Sequence, residues 1–112
     1  MPRVKIYYYC LGQMTTKEFC RISLLTKVKI EDLNKYYLCL YTFETDDTIN
    51  NTVEYLENLF KKFNSNENPL SNEEYQTKIK ESKCHTSMST GDVIQIDDDF
   101  YVVGGTGFKK IN

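Results

Sequence analysis

The sequence predicts a single small α+β domain: an antiparallel β-sheet, built from an N-terminal meander and a C-terminal hairpin, covered on one face by one main helix. Three observations carry this. Residues 3–11 and 36–44 are rich in the β-branched and aromatic residues that suit a pleated surface. Residues 93–103 hold two short apolar runs about Asp97-Asp98-Asp99, the pattern of a hairpin. Residues 47–63 space their apolar side chains as a long amphipathic helix does. At 112 residues the chain fits one domain, 1–112. Its 40% hydrophobic and 13% aromatic content excludes a disordered chain.

Along the chain, residues 3–11 alternate Val4, Ile6, Tyr8 and Cys10 with Arg3, Lys5, Tyr7 and Tyr9, which is period two. Residues 20–30 alternate in the same way and read as a second long strand. A competing signal is Thr15-x-x-Glu18, a capping-box pattern that would start a short helix over residues 16–26. Residues 36–44 (YYLCLYTFE) are apolar on both faces and belong in the middle of a sheet or under a helix. Asp46, Asp47 and Thr48 supply N-capping oxygens for the main helix, whose stripe is Ile49, Val53, Leu56, Phe60 and Phe63. Asn64 offers a left-handed exit. After a loop with Pro69, Ser71 and Glu74 form a second capping-box pattern for a short helix to about Ser82.

Charge and cysteine content narrow the function. Residues 1–40 carry seven Lys+Arg against three Asp+Glu, a net of +4; the whole chain has 14 against 16, so residues 41–112 carry seven against thirteen, a net of −6. Either the halves attract within the fold or copies meet head to tail, so a homo-oligomer stays open. Seven basic residues over forty positions are a thin footprint for nucleic acid. No apolar run approaches the roughly 20 residues of a membrane span, and MPRVKIYYYC does not read as a leader. A cytoplasmic, membrane-free protein is expected, with Cys10, Cys20, Cys39 and Cys84 as reduced thiols. Their spacing contains no C-x-x-C, so neither a zinc site with His85 nor any other metal or cofactor is expected.

The chemistry concentrates in residues 84–111, CHTSMSTGDVIQIDDDFYVVGGTGFKKI, which hold the only histidine. Asp97-Asp98-Asp99 reads as a solvated turn, because three adjacent carboxylates cannot all face one ion. Gly104-Gly105-Thr106-Gly107 lacks the Lys-Ser/Thr that follows a phosphate-binding loop. Cys84 and His85, adjacent in an extended chain, point apart. A Ser-His pair using Ser87 or Ser89 needs an orienting carboxylate, and Asp92 is the nearest candidate. The structural reading is preferred: His85, Thr86, Ser87 and Ser89 satisfy backbone groups of their own loop, and Met88 is an apolar plug.

The segment HTSMSTGDV, its hairpin and the closing Gly107-Phe108 resemble the C-terminal signature of small, mostly uncharacterised proteins of phages, plasmids and other mobile elements. That group is related to YodL-like domains. Residues 59–64 and 68–70 resemble the same group, so the likeness covers roughly residues 56–112, with Thr90 where the group carries valine. The resemblance implies an origin in a mobile element. No reaction comes with it.

The reading that results is a non-enzymatic phage or mobile-element accessory protein that binds a host protein, with inhibition of a defence factor as its action. The candidate binding residues are His85, Thr86, Ser87, Met88, Ser89 and Asp92, joined by Gly104, Gly105 and Phe108 of the glycine-rich turn. The alternative is a nucleic-acid module using Arg3, Lys5, Tyr7, Tyr9, Lys27 and Lys29. An enzyme using His85 ranks third.

Overall fold

The computed structural model describes residues 2–45 and 48–112. Among them, strands β1 (Arg3–Tyr9), β2 (Tyr37–Glu44), β3 (Val93–Ile96), β4 (Asp99–Val103) and β5 (Phe108–Lys110) form one sheet in the order β2-β1-β3-β4-β5. Every neighbouring pair is antiparallel. β1 has both neighbours filled and sits inside the sheet. Its start is held by the turn of the C-terminal hairpin: the Arg3 N–H donates to Asp97 Oδ1 (2.9 Å) and the Asp97 N–H to the Arg3 carbonyl (2.9 Å).

Period-two alternation then sorts β1 into two cores. Val4, Ile6 and Tyr8 pack with Leu56, Leu59, Phe63, Leu70, Ile79 and Met88 on one face, while Tyr9 packs with Ile22, Val28, Leu33, Val93 and Val102 on the other. The first face is covered by helices α3 (Thr52–Phe63) and α4 (Glu73–Ser82). Leu56, Leu59 and Phe63 are all buried, and burying each contributes about 1.5–3 kcal/mol.

The second face is covered too, by the segment expected to be a strand. Residues 20–30 form no strand, and the two places beside β1 are taken by β2 and β3. The Thr15 capping box forms instead: Thr15 Oγ1 accepts from the Glu18 N–H (3.3 Å), and Glu18 Oε1 from the Thr15 N–H (2.9 Å). It starts α1 (Thr16–Phe19), which runs into a π-helical turn at Cys20–Leu24. The predicted N-terminal meander is therefore only the β1–β2 pair. A short α2 (Asp32–Tyr36) leads into β2.

Two further expectations change in detail. β2 lies at the edge of the sheet, yet beneath helices: the Tyr41 ring meets Phe63 of α3 and Tyr75 of α4 edge-on, with centroids 6.0 and 5.6 Å away. Its register with β1 jumps from Ile6↔Tyr41 to Tyr7↔Cys39, leaving Leu40 as a bulge. The bulge switches parity, so Leu38, Leu40, Tyr41 and Phe43 all join the same core.

α3 begins five residues later than predicted, because Asn51 is the cap that accepts from the Glu54 N–H (3.1 Å). The capping role expected of Asp46 and Asp47 lies outside the described residues. Val53 is left 57% exposed, and Asn64 ends the helix at φ −115°, outside the left-handed region. α4 is likewise capped by Asn72 in place of Ser71.

Candidate functional site

The loop between α4 and β3 carries the predicted chemistry. α4 ends on Lys83 in the left-handed conformation (φ 54°), and the Cys84 N–H returns to the Ile79 carbonyl (2.9 Å). Cys84 then forms a disulfide with Cys10 at the end of β1, their Cα atoms 4.5 Å apart. This corrects the expectation of four reduced thiols; Cys20 and Cys39 are free. Sequence spacing holds no signal for a bond between residues 74 positions apart; the end of α4 meets the end of β1, where the Leu11 N–H donates to the Lys83 carbonyl (3.1 Å). Cys84 and His85 do point apart: one side chain goes to Cys10, the other to Asp92.

The His85 Nε2 lies 2.7 Å from Asp92 Oδ2. With the carboxylate ionised, Nε2–H is the donor. Asp92 is completely buried and accepts two backbone donors besides: the Ser89 N–H on Oδ2 (2.7 Å) and the Tyr9 N–H on Oδ1 (3.2 Å). Burial pushes its carboxyl pKa up to about 6, against the opposing pull of His85 and the two amides. The imidazole stacks on Tyr8 (centroids 4.7 Å, planes 11° apart) and leans on Tyr9 (4.6 Å, 53°). It therefore touches one tyrosine from each core. Burial, then the Asp92 charge, raises the Tyr8 phenol far above its ordinary value.

The remaining loop residues are tied in one by one. The Thr86 hydroxyl bonds the Gln76 amide of α4 (3.1 and 3.3 Å), and its carbonyl accepts from Asn68 Nδ2 (2.9 Å). Met88 is buried in the first core, the apolar plug that its place in the loop predicts. Ser87 is exposed, and the Ser89 hydroxyl donates to the Ser87 carbonyl (3.4 Å). Among the described residues no serine hydroxyl bonds to His85. The Asp92 backbone continues into β3 and extends its pairing with β4: the Val103 N–H donates to the Asp92 carbonyl (2.8 Å), and the Val103 carbonyl accepts from the Gly91 N–H (2.8 Å). Gly104, Gly105 and Phe108, expected at the same site, line a separate groove against Phe60 of α3.

The alternative basic set is partly assembled. Arg3 and Lys5 line a concavity of about 640 Å³, but Glu44, Asp97 and Asp98 line it too, and Arg3 pairs with Glu44 at 3.0 Å. Mixed charge of this kind does not match a phosphate backbone. The Tyr7 hydroxyl donates to Gln95 (2.9 Å), its ring packs near Phe100, and Tyr9 is buried, so neither ring is a free stacking platform. Lys27 and Lys29 flank buried Val28 on the connection between the π-helical turn and α2. Among the described residues no cluster of three or more His, Cys, Asp or Glu side chains could hold a metal, and no helix is long and apolar enough to cross a membrane.

Fold and site together define a small α+β protein whose sheet lies between two helical layers, with a tethered imidazole–carboxylate loop at the end of its central strand. The chain is 38% identical over 112 residues to "Uncharacterized protein R785" of Acanthamoeba polyphaga mimivirus, covering 100% of this chain and 94% of that protein. It belongs to the family of that viral protein. No protein-family model and no solved structure matches it.

Proposed function

We propose that the chain is a viral accessory protein that acts by binding a protein of the infected cell, in the cytoplasm, with a defence factor as the target it blocks. Its 38% identity to a viral protein over all 112 residues supports the viral role, and the resemblance of HTSMSTGDV to a signature of phage and plasmid proteins points the same way. One observation carries the choice of binding over catalysis. His85 and Asp92, the pair that resembles acid–base machinery, are committed to the loop itself, with the ring held by two tyrosines and the carboxylate by two amides. The nearby hydroxyls of Thr86 and Ser89 are turned to other partners.

The test is affinity capture from extract of the infected cell, followed by sedimentation of the recovered complex. A single cellular protein held in stoichiometric amount is the expected result. Retention of no such protein would sink the reading, as would hydrolytic turnover of a model ester that disappears in His85→Ala.

A further inference from the structure

The Cys10–Cys84 disulfide joins two residues in unlike surroundings. Cys10 follows β1 and is 2% exposed, whereas Cys84, at the exit of α4, is only partly buried. Thiol–disulfide exchange needs a path for a thiolate to the sulfur it attacks. The Cys84 side of the bond offers one, and the Cys10 side is closed.

The junction around the bond does not depend on it. The Leu11 N–H donates to the Lys83 carbonyl (3.1 Å), the Cys10 N–H to the Tyr36 carbonyl (2.8 Å) and the Cys84 N–H to the Ile79 carbonyl (2.9 Å). Gly12 lies so near the Lys83 side chain that a Cβ there would be 3.3 Å from it. One residue beyond Cys84, His85 bonds Asp92, whose carboxylate also accepts the Tyr9 N–H of β1. Opening the disulfide therefore leaves β1, α4 and the loop fastened to one another.

A reduced pair is provided for as well. Cys10 Sγ lies 3.7 Å from the Tyr8 carbonyl oxygen, and Cys84 Sγ lies 3.9 Å from that of Ser82. A disulfide sulfur has no proton to donate, so these two acceptors gain a sulfur donor only when the bond is reduced. The same backbone thus suits both oxidation states. In the cytoplasm, the setting proposed above and to that extent a premise here, disulfides are usually transient or redox-sensing.

We infer that Cys10 and Cys84 form a reversible exchange site for a small monothiol of the glutathione class, with Cys84 as the sulfur that exchanges and Cys10 as the buried partner that closes the bond again. Cys84 packs against the first core, so a compact thiol reaches it more readily than a cysteine on a folded protein. In the reducing direction the small thiolate attacks Cys84 Sγ. A mixed disulfide forms there as the Cys10–Cys84 bond breaks, and the electron pair leaves on Cys10 Sγ, which takes up a proton. A second small thiolate attacks the small-thiol sulfur of the mixed disulfide, releasing the oxidised small disulfide and Cys84, which is protonated in turn. Two electrons and two protons pass from two small thiols to the pair. In the oxidising direction Cys84 attacks the small disulfide, and Cys10 then displaces the small thiol from Cys84.

Glutathione buffers of graded reduced-to-oxidised ratio test this on the full chain. No partner protein is involved, so the result is independent of the capture experiment above. Acid quenching, alkylation and peptide mass mapping report each cysteine. A crossover between disulfide and dithiol within the series, reached from either direction, is expected, with native circular dichroism on both sides of it. Folded Cys10→Ser should take one glutathionyl group at Cys84 from oxidised glutathione, while Cys10 in Cys84→Ser should react about tenfold or more slowly. A bond that stays closed, or one that stays open, at every ratio overturns the inference, as does loss of native circular dichroism on reduction. So does glutathione found on Cys10 as readily as on Cys84. If either variant misfolds, the mixed disulfide quenched from the parent during reduction decides that point.

Discussion

His85 Nε2 sits 2.7 Å from Oδ2 of Asp92, a carboxylate fully buried seven residues further along the chain. Asp92 gathers three donors, from His85, Ser89 and Tyr9, and so joins the α4–β3 loop to β1. Asp92→Ala strands two buried amides and the ring, and is expected to cost about 2–4 kcal/mol in urea unfolding. His85→Ala leaves the amides paired and should cost less, about 1–2 kcal/mol. An Asp92→Ala chain as stable as the parent would remove the carboxylate from its structural role.

The same group sets a pH dependence. Burial raises Asp92 to about 6 in the folded state, whereas an unfolded aspartate titrates near 3.8. Between these values the folded chain keeps a proton that the unfolded chain has released. The stability from this group is fully present below about pH 4 and is lost as pH rises through about 6, a change on the order of 2–3 kcal/mol. From pH 4 to 7 the parent's unfolding stability should fall relative to that of Asp92→Asn by that amount; parallel curves, or a rise, would contradict the shift.

Gly91 and Gly105 should respond in opposite ways to alanine. Gly91 holds φ 95°, and a Cβ there would lie 2.7 Å from the Ile22 carbonyl and 3.0 Å from the Ser23 Cα. Backbone must move, so Gly91→Ala should lose about 2–4 kcal/mol. Gly105→Ala, with open space around it, should stay within about 0.5 kcal/mol. Thermal unfolding of the two variants checks the contrast.

The Cys10–Cys84 disulfide leaves Cys20 and Cys39 as free thiols. Thiol titration of the denatured, unreduced chain should find those two, and all four after reduction. Because the bond spans 74 residues of chain, reducing it should lower unfolding stability by about 2–4 kcal/mol. Four thiols without reductant would show the bond absent in solution.

Sequence alone determined what depends on near neighbours. The alternation of Val4, Ile6 and Tyr8 against Tyr7 and Tyr9, the 93–103 hairpin and the helical stripe at Leu56 and Phe63 each repeat with a local period, so each was legible. Asp92 was legible as the carboxylate nearest His85. Tertiary structure decided the rest. Residues 20–30 carry both a strand-like alternation and a helix cap, and local pattern cannot rank them. Only Cys20–Leu24 turned helical and the rest runs irregularly, with Ile22 and Val28 covering the second face of the sheet. The Cys10–Cys84 bond, the Tyr8 and Tyr9 contacts of His85, and the glycine turn standing between Thr26 and Phe60 all join residues far apart in sequence. Such pairings follow from strand register and from which face each element covers, and only the assembled sheet fixes either.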